Sequence, residues 1–226
     1  MRRCQHEAAP RKSPREVKAR SNDGPLANGP GKMEWNSVKM SVEIIGTEEK
    51  YRGWCTLLLA QVRYPDGHIV KREIEDHGRA SCVLPYDPTR KTALLVRQLR
   101  VPPLHAGGEA TILEAPAGLI DPGEDGDIAA RREAMEEVGV RLASLDLVSS
   151  AWSMPGISAE RMDLFLGVYA AADRTGVGGG IDDEGIEVVE MPLSELAAMA
   201  DAGTLNDMKT LVLVQTLRLR RPELFG

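Results

Sequence analysis

An α/β fold is predicted for this 226-residue chain, with helices on both faces of a mixed sheet. Three observations predict it. Short apolar or alternating runs separated by turn residues fill residues 42–117 without a helical period. A glycine turn then opens directly into one acidic helix at 127–137. After it, further short strands give way to two helices, at 193–200 and 206–220. Such strands, with a few helices to cover them, fit an α/β/α sandwich preceded by antiparallel strands.

The elements follow in order. Residues 1–32 hold eight Lys/Arg against three Asp/Glu, and prolines recur at Pro10, Pro14, Pro25 and Pro30. Too few apolar residues remain there to build a core, so the segment reads as a disordered basic tail. A transit peptide, or initiation at Met33 or Met40, are the sharper alternatives. The folded domain is then 33–226, with N-terminal strands within 33–75. Val42–Ile45 is a short strand and Trp54–Tyr64 a longer one. Pro65-Asp66-Gly67 is turn chemistry, so His68–Glu75 returns as a hairpin. Arg79–Tyr86 and Thr92–Val101 are strands around the Asp87–Arg90 turn, Pro102–Gly108 is a loop, and Thr111–Ala117 leads into the glycine turn. Four or five strands thus precede the first helix. Asp125 or Asp127 can cap that helix, and Gly139 sits where a left-handed C-terminal glycine belongs. Ile128, Met135 and Val138 are its candidate core face. Leu142–Trp152, Met162–Ala170 and Ile186–Met191 read as strands, and Asp173–Gly185 as a polar glycine-rich loop. In the last helix Leu211, Val214 and Leu217 or Leu219 point inward.

Composition sets the outer bounds. Hydrophobic content of 42% and charged content of 27% are those of a globular protein with a sizeable core. The net charge of −6 argues against nucleic acid as partner. Cys4, Cys55 and Cys82 lack metal-type spacing and suggest reduced thiols in the cytoplasm. No apolar run reaches the ~18 residues of a membrane span, and no secretory leader is visible.

The stretch that carries chemistry is Gly118–Val140, GLIDPGEDGDIAARREAMEEVGV. Glu133, Glu136 and Glu137 stand at i, i+3 and i+4, one face of a helix. Like charges at this spacing repel by a few tenths of a kcal/mol per pair. Grouped carboxylates are hard oxygen ligands suited to Mg²⁺ or Mn²⁺. The whole stretch resembles the Nudix box, G-x5-E-x7-R-E-U-x-E-E-x-G-U, with Ala134 a weak fit to an aliphatic U. The resemblance implies the sandwich fold and a divalent metal held by Glu133, Glu136, Glu137 and the backbone carbonyl of Ala117. It also implies structural roles for Gly118, Gly139 and the pair Glu124–Arg132. A general base is implied in an acidic loop after the box, here Ile181-Asp182-Asp183-Glu184-Gly185. Glu184 is the candidate, as base or further metal ligand, with Asp183 as the alternative.

Substrate class rests on segments outside the box. Ser153–Arg161, Tyr51–Trp54, Arg72–Ile74, Gln98–Arg100 and Leu113–Gly118 resemble ADP-ribose pyrophosphatases and the related GDP-mannose hydrolases. Arg72 and Arg100 suit a diphosphate or ribose, and Trp54 offers a stacking face, although in a strand it is equally a core residue. Glu160 can bind a sugar or position water. The triple glycine before the acids, and Gly203–Thr210, resemble the GDP-mannose side. The intact box and Pro155 favour ADP-ribose. The expectation is hydrolysis of a nucleoside diphosphate sugar, ADP-ribose ahead of GDP-mannose. The alternative of another class is a non-catalytic ADP-ribose sensor. A homodimer is implied, because N-terminal strands are exchanged in that subgroup.

Overall fold

Strict alternation along three strands builds the core. The computed structural model describes residues 41–180 and 185–226, so the expected tail lies outside the described residues. In β4 (Ala80–Asp87), Cys82, Leu84 and Tyr86 face one way and Val83 the other; in β5 (Thr92–Leu99), Ala93 and Leu95 oppose Leu94 and Val96. In β9 (Arg161–Val168), Leu164 and Leu166 oppose Phe165. Side chains that alternate in this way on a doubly buried sheet give two apolar layers. One layer meets α3 (Leu193–Ala202) and α4 (Met208–Arg220), through Leu193, Leu196, Leu213, Val214 and Leu217. The other meets α2 (Gly126–Val138), through Ala130, Ala134 and Val138. The result is the expected α/β/α sandwich.

The sheet is mixed. β4 pairs β9 in parallel, while β8 (Ser144–Trp152) on β9 and β10 (Glu187–Pro192) on β5 are antiparallel. β4 and β5 pair only at Tyr86–Ala93 and Asp87–Thr92 before they part. Two short strands fill the gap: β6 (Thr111–Glu114) on β5, and β7 (Ala117–Leu119) on β4. The split carries the Ala115–Gly118 turn into the centre of the sheet, where the Val83 amide donates to the Pro116 carbonyl at 2.9 Å.

A second, antiparallel sheet joins β1 (Glu43–Arg52), β2 (Thr56–Arg63) and β3 (Ile69–Asp76). It docks on the main body where β3 meets the loop before β9. There the Glu75 amide donates to Ile157 and the Ala159 amide to Glu75, at 2.9 and 2.8 Å.

Several expectations are corrected. Seven strands, not four or five, precede α2. β1 runs to Arg52 rather than ending at Ile45, and Trp54 lies in the bend before β2, 75% exposed, not in a strand or core. The loop expected at 102–108 starts as a single helical turn, α1 (Val101–His105), because Pro102 and Pro103 fit the first positions of a helix. The inner face of α2 is Ala129, Ala130, Glu133, Ala134, Glu137 and Val138, while Ile128 is 53% exposed. Asp125 stands at the N-cap without a side-chain capping bond. Leu213 takes the inward place in α4, and Leu219 points outward.

Candidate active site

The box residues come together because α2 lies with its acidic strip against β7. Glu133 and Glu137 are 7% and 6% exposed, so two carboxylates are turned toward the sheet rather than toward water. The Ala117 amide donates to Glu137 Oε2 at 3.1 Å. Glu133 approaches so closely that a Cβ on Gly118 would stand 2.0 Å from its Oε1, so a larger residue there would push that carboxylate aside. Arg132 gathers the remaining acids. Its Nε and Nη2 donate to Glu124 at 3.2 and 3.1 Å, and its Nη1 to Glu133 and Glu136 at 2.5 and 3.3 Å. This embrace holds the arginine well above its ordinary pKa and Glu124 below, the hydrogen bond between them being the first cause of each. A fifth bond, to the Leu119 carbonyl, ties the guanidinium to β7.

Both ends of α2 are fixed by residues outside the box. A Cβ on Gly126 would meet Asp163 Oδ2 at 2.4 Å, so the helix N-terminus sits directly on that carboxylate. Asp163 in turn accepts from Arg79 at 2.7 Å and Ser150 at 2.5 Å. At the other end Gly139 adopts φ +68° as predicted. The triple glycine completes that cap: the amides of Gly179 and Gly180 donate to the carbonyls of Glu137 and Glu136 at 2.8 and 3.0 Å. Gly180, the residue before the acidic segment, is therefore held at the last turn of the carboxylate helix. Asp182, Asp183 and Glu184 themselves lie outside the described residues.

From Ala117 and Gly118 an open cleft of 320 Å³ runs toward the N-terminal sheet, lined by Arg100, Glu114, Lys209, Glu160, His77 and Trp54 among others. Arg100 donates to Glu114 at 2.6 and 3.0 Å, and Lys209 donates to Glu114 and, at 2.9 Å, to Asp207. Burial pushes the Glu114 carboxyl up, but Arg100 and Lys209 outweigh it and hold it below its ordinary value. Burial likewise opposes charge on Lys209, but Asp207 and the neighbouring groups hold it above its ordinary value. At the far end the Trp54 ring stacks on His77, centroids 4.6 Å apart. His77 reaches Glu160 at 3.0 Å. A more apolar depression of 290 Å³, lined by Trp152, Met208 and Val212, shares Glu160, Met162 and Lys209 with this cleft.

Of the predicted residues, the cleft thus joins Trp54, Arg100, Glu160, Ala117 and Gly118. It does not include Arg72, which is exposed on β3 and donates to its neighbour's carbonyl, Lys71 O, at 2.9 Å. Sequence reasoning missed His77, Glu114 and Lys209. Glu114 and Lys209 stood inside quoted segments, unremarked; a buried acid between two cations is visible only once β6 and α4 meet.

The NUDIX domain profile matches residues 76–211. The chain belongs to the Nudix family. A GDP-mannose pyrophosphatase from Cronobacter sakazakii is 39% identical over 190 residues, covering 81% of this chain and 98% of that protein. Another, from Salmonella arizonae, is 36% identical over 150 residues, covering 66% of this chain and 78% of its own. A crystal structure described as an ADP compounds hydrolase superposes with a TM-score of 0.66, covering 80% of this chain and 95% of that one. At 21% identity that likeness shows the Nudix fold.

Nudix hydrolases generally use a divalent metal. The donor chemistry fits one: Glu133, Glu136 and Glu137 offer only oxygen, on one side of one helix, beside the Ala117 carbonyl. Among the described residues no three acidic, His or Cys side chains are gathered closely enough to cage an ion as they stand. The fit lies in the donors, which Arg132 and the Ala117 amide keep in place.

Proposed function

We propose that this Nudix hydrolase cleaves the diphosphate bond of a nucleoside diphosphate sugar, GDP-mannose first, into a nucleoside monophosphate and a sugar phosphate. The supporting observation is the set of groups that one cleft brings together. Its wall holds Ala117 and Gly118, against which the buried Glu137 and Glu133 pack, together with Arg100, Lys209 and the exposed indole of Trp54. A diphosphate carries its charge in the middle and a base at one end, and the cleft offers partners for both. The GDP-mannose name of the relatives moves the preference from ADP-ribose, favoured by sequence, to GDP-mannose. ADP-ribose stays as the second reading, on the intact box and Pro155.

Glu133, Glu136, Glu137 and the Ala117 carbonyl are proposed to hold Mg²⁺, with Mn²⁺ as substitute. The ion would neutralise charge that builds on the attacked phosphorus and its leaving oxygen. Arg132 and Glu124 keep the three carboxylates in register. Glu184 is proposed as the base that takes the proton of the attacking water, or as a further ligand. Its loop starts at Gly180, bonded to the Glu136 carbonyl, and four residues of chain reach at most about 14 Å. Arg72, outside the cleft of its own chain, is proposed to serve the cleft of a partner in a homodimer formed through residues 33–75. Residues 1–32 are proposed as an appendage outside the catalytic domain of 33–226. Free thiols at Cys55 and Cys82 support a reducing, cytoplasmic setting. Among the described residues no helix is long and apolar enough to cross a membrane.

The test is a Mg²⁺-dependent hydrolysis screen over GDP-mannose, ADP-ribose, ADP-glucose and NADH, with products identified. GDP-mannose should give the highest kcat/KM. Preference for ADP-ribose selects the second reading, and no cleavage of any diphosphate defeats both.

A further inference from the structure

His77 occupies a position that its neighbours define closely. Its Nδ1 lies 2.5 Å from Glu75 Oε1 and its Nε2 lies 3.0 Å from Glu160 Oε1. A neutral imidazole carries one N–H and can donate to only one carboxylate; the other would meet a lone pair. Two such contacts together call for the cation. The remaining groups close a ring around it. Ser158 Oγ donates to Glu75 Oε2 at 2.6 Å, and the Glu160 amide donates to Ser158 Oγ at 3.0 Å. One face of the imidazole supports the Trp54 ring, and the cluster forms one rim of the cleft.

We propose that His77 is a positioning residue whose cationic form latches β3 to the loop before β9, holding Trp54 and Glu160 in place for substrate. This rests on the reading just given, in which Trp54 meets the base of a nucleoside diphosphate sugar. Loss of the proton has two consequences for binding. One of the two carboxylates loses its donor, freeing Glu160 or the β3 end that supports Trp54. The rim also gains one negative charge beside the path of an anionic diphosphate. The groups facing the imidazole are Glu75 from the end of β3, which His77 follows, and Glu160 from the loop. Cys55 bonds to Glu75 from the bend before β2, and Arg100, Glu114 and Lys209 line the cleft beyond. Burial works against charge on the ring, but both carboxylates outweigh it and hold the imidazole above its ordinary value. The Glu75 carboxyl, which burial pushes up, is brought below its own by Ser158 and His77.

The experiment pairs steady-state kinetics with tryptophan emission from about pH 6 to about pH 9, a range that spans an upshifted histidine. In the wild type KM should rise by roughly tenfold as pH rises, the cost of one charge-assisted hydrogen bond, while kcat/KM falls through KM and not through kcat. His77→Gln should show the high KM at every pH. His77→Arg, a permanent cation, should keep KM low and flat. Emission is read without substrate: a cationic imidazole quenches a stacked indole, so the wild type should brighten as pH rises. The step should vanish in Trp54→Phe, His77→Gln and His77→Arg. A wild-type KM independent of pH, an unaltered profile in His77→Gln, or a loss confined to kcat overturns the proposal. If His77→Gln does not fold, the flat profile of His77→Arg decides in its place. If no nucleotide sugar is hydrolysed, the functional reading fails, and the emission step decides the latch: present it supports it, absent it overturns it.

Discussion

The two ends of the cleft are built in opposite ways. The carboxylate end comes from one stretch of 23 residues, Gly118–Val140, in which a helix places acids by periodicity alone. The Trp54 end is assembled from a bend before β2, the end of β3 and the loop before β9, with His77 and Glu160 separated by 83 positions. The first end is held by Arg132 and by the absence of a Cβ at Gly118. The second is held by a β-bridge and a ring of side-chain bonds around His77. The contrast teaches that the carboxylate end, proposed to break the bond, is local and stiff, whereas the Trp54 end, proposed to choose the substrate, depends on long-range docking of a separate small sheet. Changes at the first end should act on kcat, and changes at the second on KM.

The largest expected effect is at Glu137. Glu137→Gln keeps an oxygen for the Ala117 amide, so the fold should survive. Turnover should fall by roughly 10²- to 10⁴-fold, read as kcat at saturating substrate alongside an unchanged melting temperature. Near-normal kcat in a folded variant would remove Glu137 from the metal set. Gly118→Ala comes next. Its Cβ would stand 2.0 Å from Glu133 Oε1, so that carboxylate must move. A displacement of about 1 Å in a positioned group costs up to ~10²-fold. The loss should appear in kcat and in the Mg²⁺ concentration for half-activity, with KM little altered. A pure KM effect would erase the distinction between the two ends.

The sequence made the first end legible because every residue it needs lies within a few helical turns. The alternating strands were equally plain, and with them the two apolar layers. Among the differences, the inward faces of the helices have a common physical source, the orientation of amphipathic surfaces. In α2 the pattern puts the core on the non-acidic face, with Ile128, Met135 and Val138. The helix instead turns its Ala129–Glu133–Glu137 and Ala130–Ala134–Val138 strips to the sheet, because small alanines let it approach closely enough for the acids to reach β7. Trp54 is ambiguous for a different reason: its exposure depends on a bend held by contacts distant in sequence, the Trp54–His77 stack and the Cys55–Glu75 bond. The triple glycine reads as part of a polar loop. Its use as a cap for α2 follows from the close packing of Gly178, where a Cβ would lie 2.5 Å from the Glu137 carbonyl.

The smallest change in activity is expected midway along the cleft, at Glu114. Its carboxylate is 4% exposed and lies between Arg100 and Lys209, so it arranges two cations without being near the helix acids' bonds. Glu114→Gln preserves shape and one acceptor but removes the charge. Arg100 and Lys209 should lose their fixed geometry, with a several-fold rise in KM and kcat nearly intact. Stability should fall by about 1.5–3 kcal/mol at neutral pH, the worth of hydrogen bonds to a charged group. The pH dependence has a definite sign. Glu114 is held below its ordinary value in the folded state, so it binds its proton later there than in the unfolded chain. Its contribution is complete above about pH 4.3, the unfolded value, and is lost as pH falls through the lower folded value. Urea melts of wild type and Glu114→Gln should therefore differ most at neutral pH and converge as the medium is acidified below about pH 4. A gap that widens on acidification would mean that Glu114 is protonated in the native cleft, and that Arg100 and Lys209 are positioned by something else.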